Sequence, residues 1–557
     1  MIGVIADSTD REVVREFFEL FKTPWEFCRR DRRYEVLLCA GGGQPNSSAR
    51  LVLVYAGTRT SFDDEQKLQT GPSRSRAPLL WSPGCRIPIY GESITFPEKG
   101  LGLLADDDSG ECVAYRDHSK DRVLVRIGYD LFGEIRHLLS LGQPPANAHL
   151  PALELHIAFL RDLITGSGIP LAEIPPVPEG YPFTACLTHD IDHPSVRLHK
   201  WDYTTIGFLW RATLGSFLNL LRGRLPVRGV LTNWMAALKL PFVHLGLARD
   251  FWRDFDDRYL KLEAGCHSTF FVIPFKNRPG RNADGRALSH RGAAYGVRDV
   301  ADTMHKLLDA GCEIGLHGID AWIDSPSGRE ELEEIRRVTG HSELGVRMHW
   351  LYWNEQSPIA IETAEAAYDS TMGYNETVGF RAGTTQAYKP LQASRLLELP
   401  LHVMDTAMFY AAYLKLSPPQ AEALLRRIVD TVSRFGGCLT VNWHDRSLAP
   451  ERLWGSNYVG LLEDLKRRGA WFATAGQAVS WFQKRRRAVF ETEGMEPNTV
   501  RTKLAADFGS NVPGLRLRIH KAREGEAFVA PGPDEYVDVP VDGTVHLERI
   551  TFPESAC

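Results

Sequence analysis

Acidic, histidine and arginine side chains cluster where apolar segments of this chain end. Asp190 and Asp192 follow the apolar run Phe183–Thr188. Because side chains alternate along a strand, these two carboxylates share one face, about 7 Å apart. At that spacing one carboxylate can hold a cation while the other takes a proton from water. Taken alone, the segment also fits an aspartate-rich turn.

Three more segments end in the same way. A short β-rich run precedes each of these groups: the first is His317, the second is the pair Arg347 and His349, and the third is His444. A single histidine at the end of a buried strand is more often a hydrogen-bonded structural residue than a ligand. One shared site, however, explains all of these strand ends more simply than unrelated structural roles do.

The elements that would position these residues alternate between strand and helix from about residue 183 to residue 480. Such alternation predicts a parallel α/β sheet, open or closed into a barrel, with its chemistry at the carboxyl ends of the strands. The predicted strands are Phe183–Thr188, Ser268–Ile273, Cys312–Leu316, Leu344–Arg347, Leu396–Pro400 and Cys438–Trp443, and the predicted helices include residues 299–310, 329–338 and 420–435.

Composition shifts divide the chain into three predicted domains. Residues 1–177 mix strands and helices and end in the proline-rich linker Ile174–Gly180. Residues 178–487 form the predicted barrel, with a helical insertion at about 195–261. Residues 488–557 alternate in hydrophobicity, as in Leu515–His520 and Tyr536–Val541, and predict a small β-rich domain.

The insertion contains an amphipathic, basic helix over residues 204–224. One interpretation packs this helix on the barrel. The other makes it a lid, or a surface that contacts a membrane or a lipid-linked substrate.

Composition narrows the class of protein. The chain is 43% hydrophobic and 24% charged with a net charge of −5, which gives no support for a nucleic-acid partner. It lacks a basic, apolar leader and any apolar run long enough for a transmembrane segment. Its nine cysteines include no Cys-x-x-Cys pair and fit reduced thiols, so we expect a cytoplasmic protein. Nucleophile-elbow, phosphate-loop, His-Glu-x-x-His and dinucleotide motifs do not occur.

The order of the motifs resembles the polysaccharide deacetylases, the NodB-homology or carbohydrate esterase 4 group. The resemblance runs from Phe183 to about residue 480 and implies a distorted, incomplete (β/α) barrel that binds a divalent metal, usually zinc. The matching segments are Thr188–Asp192, Gly265–Val272, the segment beginning at His317, Arg347–Trp350 and Thr440–His444.

The second motif departs from the family. There a second metal-binding histidine normally follows the first by four residues, and this chain has Ala321 at that position. The resemblance makes Asp192 and His317 metal ligands, and a zinc site needs three protein ligands. His349 is the first candidate for the third ligand, Asp320 and Asp324 come next, and solvent or a lost activity are the remaining alternatives.

The resemblance implies a hydrolase that removes an N-acyl group from an amino sugar, with acetyl as the expected acyl group. Asp190 would be the general base, Arg347 would hold it ionised, and His444 would protonate the leaving amine. Asp405 either orients His444 or is structural. A backbone N–H near Trp350 would stabilise the oxyanion.

The substrate would be an acylated sugar or a glycan intermediate. Trp350 would form part of its binding surface, and Arg381 would either contact a substrate anion or form a loop salt bridge. Two other functions fit the sequence: a non-catalytic glycan-binding or scaffold protein that has lost the metal, and a metal-dependent amidase acting on a small cyclic imide or ureide. Metal content separates the first from a hydrolase, and flat aromatic faces at the site would separate a sugar site from the second.

Overall fold

The structure is a computed structural model that describes residues 1–41, 49–76, 78–82, 85–99, 102–119, 122–282, 284–287, 291–491, 499–504, 511–523, 535–541 and 543–546. The chain folds into two compact units. The first comprises Met1–Gly180, Ala382–Thr384 and Trp481–Cys557, and the second comprises Tyr181–Arg381 and Thr385–Ser480.

A mixed sheet forms the first unit. Its parallel part consists, in spatial order, of Trp25–Phe27, Ile2–Ile5, Val36–Ala40, Leu51–Tyr55 and Arg122–Ile127. Its antiparallel part continues through Cys112–Ser119, Leu104–Asp106, Leu79–Ser82 and Cys85–Ile87. The helices of this unit include Arg11–Phe21, Ser61–Glu65, Leu131–Ser140 and Ala152–Thr165. The two most apolar strands are buried throughout, as continuous apolar runs in a parallel sheet predict.

The described strands near the C-terminus form two further antiparallel sheets. One contains Ala488–Glu491, Thr499–Leu504 and Gly543–His546. In the other, Arg516–His520 pairs with Tyr536–Pro540 on one side and with Leu171–Glu173 on the other. An independent C-terminal domain at 488–557 is therefore not confirmed, because one of its strands, Arg516–His520, pairs with Leu171–Glu173, far earlier in the chain.

A parallel sheet forms the second unit and carries the candidate site. Its spatial order is Val346–Met348, Glu313–Gly318, Ser268–Val272, Thr184–Ile191, Cys438–Asn442 and Val403–Met404, with Trp471–Phe472 also paired to Thr184–Ile191. All of these pairs are parallel, which confirms the prediction of an α/β partial barrel. The carboxyl ends of the strands consequently meet at one edge.

Helices pack on the core of this sheet: Ala301–Asp309, Ser325–Thr339, Ser357–Thr363, Asp405–Phe409, Pro418–Phe435 and Gly455–Arg467. A further helix, Ala475–Arg487, begins in this unit. Ser325–Thr339 shows how the sequence sets the bounds of a helix. The Asp324 carboxylate accepts the Ser327 N–H at its start, a proline occupies its first turn, and Gly340 ends it with φ 75°. Its apolar residues, among them Leu332 and Ile335, face the main core.

The strand predicted at Leu396–Pro400 is wrong. Glu398 forms only isolated bridges, to Asp369 and Tyr388, and the strand next to Cys438–Asn442 is Val403–Met404. Pro400 has no N–H to donate to a sheet ladder, so the regular pairing begins only after it.

The insertion is helical, as predicted, but it contains more helix than residues 204–224. Tyr203–Trp210, a π-helical turn Arg211–Gly215 and Ser216–Leu221 follow one another directly. After a short turn comes Val227–His244, and Phe255–Leu262 leads back to the sheet. In the part of the chain that the structure describes, no helix is both long and apolar enough to cross a membrane.

Candidate metal centre

Four strands of the second unit bring the predicted site residues to one edge of the sheet. Asp190 lies near the end of Thr184–Ile191, and Asp192 follows that strand directly. His317 lies on Glu313–Gly318 and pairs in register with Arg347 of the neighbouring strand, Val346–Met348. His349 and His444 follow the ends of their strands by one and two residues. The sequence prediction of a shared site at the strand ends thus corresponds to a single cluster.

Asp192, His317 and His349 form the centre of this cluster. One ligand atom from each lies within 4.8 Å of the others. Asp192 Oδ1 is 3.4 Å from His317 Nε2 and 3.7 Å from His349 Nε2. Ligands that lie about 2.1 Å from a tetrahedral zinc ion are about 3.4 Å apart, so these separations suit such an ion with little movement.

The chemistry of the donor atoms also fits a cation. His317 places its Nδ1 3.0 Å from the Arg347 carbonyl oxygen, an arrangement that fixes the ring and leaves Nε2 as the free lone pair. Asp192 Oδ1 is buried and makes no hydrogen bond of acceptable geometry to any described residue. A buried acceptor between two imidazole nitrogens is an unfavourable arrangement that a bound cation would correct.

The protonation of these groups suits a metal site. Burial alone would raise the pKa of Asp192, but the three imidazoles beside it, those of His317, His349 and His444, hold it well below its ordinary value. Burial lowers the pKa of His349 to about 3, so its imidazole is neutral near pH 7. A carboxylate and a neutral imidazole are the forms that bind metals.

The other candidates for the third ligand are occupied. The Asp320 carboxylate accepts the Arg281 N–H at 2.8 Å. Asp324 pairs with the Arg281 guanidinium at 2.9 Å and caps the following helix. Ala321 is buried and offers no donor atom. Among the candidates named from the sequence, His349 is therefore the one that the structure brings to Asp192 and His317.

Asp190 lies beside the triad in a fully buried polar network. Arg347 Nη1 donates to its Oδ1 at 3.2 Å, and Asn442 Nδ2 donates to its Oδ2 at 2.7 Å. The Asn442 Oδ1 accepts the Asp190 backbone N–H in return. Arg347 is itself held by Ser370, through the backbone carbonyl and the hydroxyl group. These donors orient the carboxylate while leaving lone pairs on both oxygens.

His444 is held by a second buried carboxylate, Asp405. Its Nδ1 is 2.6 Å from Asp405 Oδ1, and its backbone N–H donates to Asp405 Oδ2 at 2.8 Å. Its Nε2 points at the cluster and lies 3.8 Å from Asp192 Oδ2. Burial alone would lower the pKa of His444, but the charge and hydrogen bond of Asp405, with the charges of Asp192 and Asp190, raise it to about 10.

Sequence reasoning missed two residues that build the site. Asn442 lies in the predicted strand Cys438–Trp443, and the sequence shows that it stands two residues before His444 and so on the same face. Arg291 donates to the carbonyl oxygens of Ile319 and His349, each at 2.9 Å, and so joins the segments that contain the two candidate ligands His317 and His349. Nothing in the sequence around Arg291 signals that role.

Trp350 and Arg381 were predicted to bind substrate. Trp350 follows His349, with the two ring centroids 5.6 Å apart, and has the left-handed backbone angle φ 66° that a bulky residue seldom adopts. Trp350 and Trp322 both lie near Tyr352, with ring centroids 6.1 and 5.6 Å from it. Arg381 donates to the Gly373 carbonyl oxygen at 2.7 Å, which ties down its own loop. Substrate contact by either residue stays a prediction.

Comparison with known proteins finds similar solved structures. A putative polysaccharide deacetylase from Mycobacterium smegmatis is 16% identical, with 56% of this chain and 95% of that chain covered and a TM-score of 0.34. The Puue allantoinase is 13% identical, with 56% and 93% covered and a TM-score of 0.34. A CE4 family pseudoenzyme from Bacillus anthracis is 13% identical, with 41% and 60% covered and a TM-score of 0.24. No protein-family model and no curated protein matches the chain.

Proposed function

We propose that the second unit is a metal-dependent hydrolase that removes an N-acyl group, in the first instance acetyl, from an amino sugar in a glycan or a glycan precursor. The observation that carries this proposal is the convergence of three groups at one sheet edge. They are a cation-binding triad, an oriented carboxylate beside it, and a histidine held by a second carboxylate.

Asp192, His317 and His349 would hold the cation. When bound there, a divalent ion would lower the pKa of a water molecule and polarise the carbonyl group of the substrate.

Asp190 would act as the general base. Its Oδ2 lies 3.9 Å from His317 Nε2, so the carboxylate faces the triad as well as its two donors. Arg347 and Asn442 fix its orientation, and an unused lone pair can take the proton from the attacking water.

His444 would act as the general acid. The raised pKa keeps its imidazole protonated near neutrality, with one N–H on Asp405 and the other directed at the cluster. That second N–H can pass its proton to the leaving amine, which an amide needs in order to expel nitrogen. The backbone N–H near Trp350 remains the predicted oxyanion donor.

The sugar substrate is supported by the motif order and by the aromatic side chains beside the site. Trp350 and Tyr352 are partly exposed next to His349, where a sugar ring could lie against a flat face. Small cyclic ureides and imides are the competing substrates.

The test uses the full chain loaded with zinc or cobalt and a panel of N-acetylated hexosamine oligomers, nucleotide-linked and lipid-linked N-acetyl amino sugars, and cyclic ureides. Released acetate and free amine are measured. We expect hydrolysis of one of the sugar classes, lost in Asp190→Asn with metal content near that of wild type, and unchanged in the surface variant Asp309→Asn.

Two results would contradict the proposal in different ways. Full turnover in Asp190→Asn would remove the assigned base. A wild-type chain that takes up no zinc, cobalt or nickel would favour the glycan-binding alternative, and hydrolysis of ureides alone would favour the amidase.

A further inference from the structure

A helical hairpin in the second unit exposes a large apolar surface. It consists of the helical segment Tyr203–Leu221 and the helix Val227–His244. Most of the exposed large apolar side chains of the described residues lie between Trp201 and Leu247. Soluble monomers rarely keep such a concentration of apolar side chains in contact with water. We call this surface the outer face.

The outer face follows the helical repeat. Ile206, Trp210 and Leu214 succeed one another at intervals of four residues on the first segment, and Leu231 and Leu238 are seven residues apart on the second helix. Trp210 is 58% exposed and Leu238 is 69% exposed. Side chains at these spacings share one side of a helix, so each helix carries a continuous outward apolar stripe.

The opposite sides of the helices pack inward. Phe208 and Ala212 of the first segment meet Ala236 and Leu240 of the second helix in a separate small core. The hairpin therefore has its own buried stripe, and the outer face is additional to it. A helix that is apolar on two sides needs a partner for the second side.

Polar contacts fix the hairpin to the loop that follows His444. Asn233 donates to Ser216 across the hairpin and accepts the Glu451 backbone N–H at 2.7 Å. Arg211 pairs with the Glu451 carboxylate. The orientation of the outer face is thus set by buried hydrogen bonds.

The charge of the hairpin is opposite in sign to that of the whole chain. Between Asp202 and Asp250 there is no acidic residue, whereas the chain has a net charge of −5. The basic residues of this stretch are Arg211, Arg222, Arg224, Arg228, Lys239 and Arg249. Four of them, Arg222, Arg224, Arg228 and Lys239, are exposed and form no ion pair with any described residue.

We propose that the outer face docks the protein on an anionic lipid surface, with both helices lying in the plane of the headgroups. Apolar side chains would enter the acyl boundary, Trp201, Trp210 and Trp234 would occupy the interface, and the basic side chains would reach anionic headgroups. A second copy of the chain fits less well, because a two-fold interface would bring these like charges together. This inference goes beyond the proposed function and does not depend on it.

The experiment is flotation of the full chain with phosphatidylcholine vesicles, with and without phosphatidylglycerol, at low and high NaCl. We expect binding that requires phosphatidylglycerol and weakens with salt. The triple variant Arg222→Gln, Arg224→Gln, Arg228→Gln should bind about a hundredfold more weakly, since each basic residue near a charged bilayer contributes roughly fivefold or more. All three side chains are exposed, so folding should be unaffected.

The apolar contribution is tested by Trp210→Ser with Leu238→Ser, which should also lose binding. Ile359→Ser is the matched control, an exposed apolar residue of the same unit outside the hairpin. It should bind as wild type does. The inference is overturned if the wild type ignores anionic vesicles, or if the chain is a dimer that Leu238→Ser dissociates without any vesicle binding. Because flotation needs no turnover, its outcome is independent of the hydrolase assay.

Discussion

Replacing His349 with alanine tests the assignment of the third ligand. His349 Nε2 lies 3.7 Å from Asp192 Oδ1 and is neutral near pH 7, so it can donate a lone pair without first losing a proton. The variant would leave Asp192 and His317, which is one protein ligand fewer than a zinc site uses. The vacated volume lies beside the exposed part of the site, so water can fill it, and the fold should survive.

The expected loss of affinity is large. Changes in groups that only support a ligand cost 10- to 100-fold in metal affinity, so loss of a ligand should cost at least about 100-fold. With free zinc at about 100 times the wild-type Kd, zinc stabilises the folded wild type by about 2.7 kcal/mol. In His349→Ala the same concentration would only equal Kd, and the stabilisation would fall to about 0.4 kcal/mol. For a unit of this size the zinc-induced rise in Tm should shrink from about 4 °C to below about 1 °C.

The assay is thermal unfolding of wild type and variant with and without zinc, together with elemental analysis of the bound metal. His341→Ala, in which an exposed histidine is removed, is the control and should keep the full rise. The assignment of His349 as third ligand is wrong if His349→Ala binds one zinc ion per chain with an undiminished rise in Tm. In that case Asp192 and His317 would have to find their third partner elsewhere.

Two further predictions concern buried carboxylates. Asp405→Asn should retain zinc but lower turnover, because an amide cannot stabilise protonated His444. The expected loss is about 10²- to 10⁴-fold, the usual contribution of a general acid. Turnover near the wild-type rate would show that Asp405 is structural. Burial raises the pKa of Glu331 to about 7 from an ordinary value of 4.5, so the folded state holds an extra proton between these values and loses about 3 kcal/mol of stability as the pH rises from about 4.5 through 7. In Tm measurements from pH 5 to 8, Glu331→Gln should remove this loss of stability relative to wild type. The control Glu333→Gln, which changes an exposed residue, should not. Equal slopes of Tm against pH in all three proteins would show that Glu331 is ionised in the folded chain.

The sequence was sufficient to predict those helices and strands whose apolar side chains repeat with the period of the helix or the strand. The parallel sheet could be predicted because its strands are short apolar runs separated by amphipathic helices, and strand ends in such a fold face one edge. That rule alone brought Asp190, His317 and His444 into one candidate site. It needed no knowledge of which strands are neighbours.

The sequence was insufficient where position depends on long-range contacts. Arg291 reaches two loops that lie 28 and 58 residues further along the chain, and no local pattern marks it. The segment around Leu396–Pro400 has the composition of a strand, yet the backbone of its buried Glu398 forms only isolated bridges, to Asp369 and Tyr388. The apolar content of a segment predicts that it is buried. It does not predict whether a partner strand lies beside the segment to pair with it.

The candidate third ligand depends both on the local sequence pattern and on the long-range contacts between strands. The resemblance predicts a histidine four residues after His317, but Ala321 occupies that position and offers no donor atom, and the adjacent acids contact Arg281 and cap the following helix. The parallel register sets His317 beside Arg347, so the residue two positions after Arg347 returns to the same side of the sheet. The Arg347 side chain thereby donates to Asp190, and its carbonyl oxygen contacts His317. His349 directly follows the strand that contains Arg347. A site built on neighbouring strands can therefore keep three donors without a ligand at position 321, provided that the register between those strands is retained.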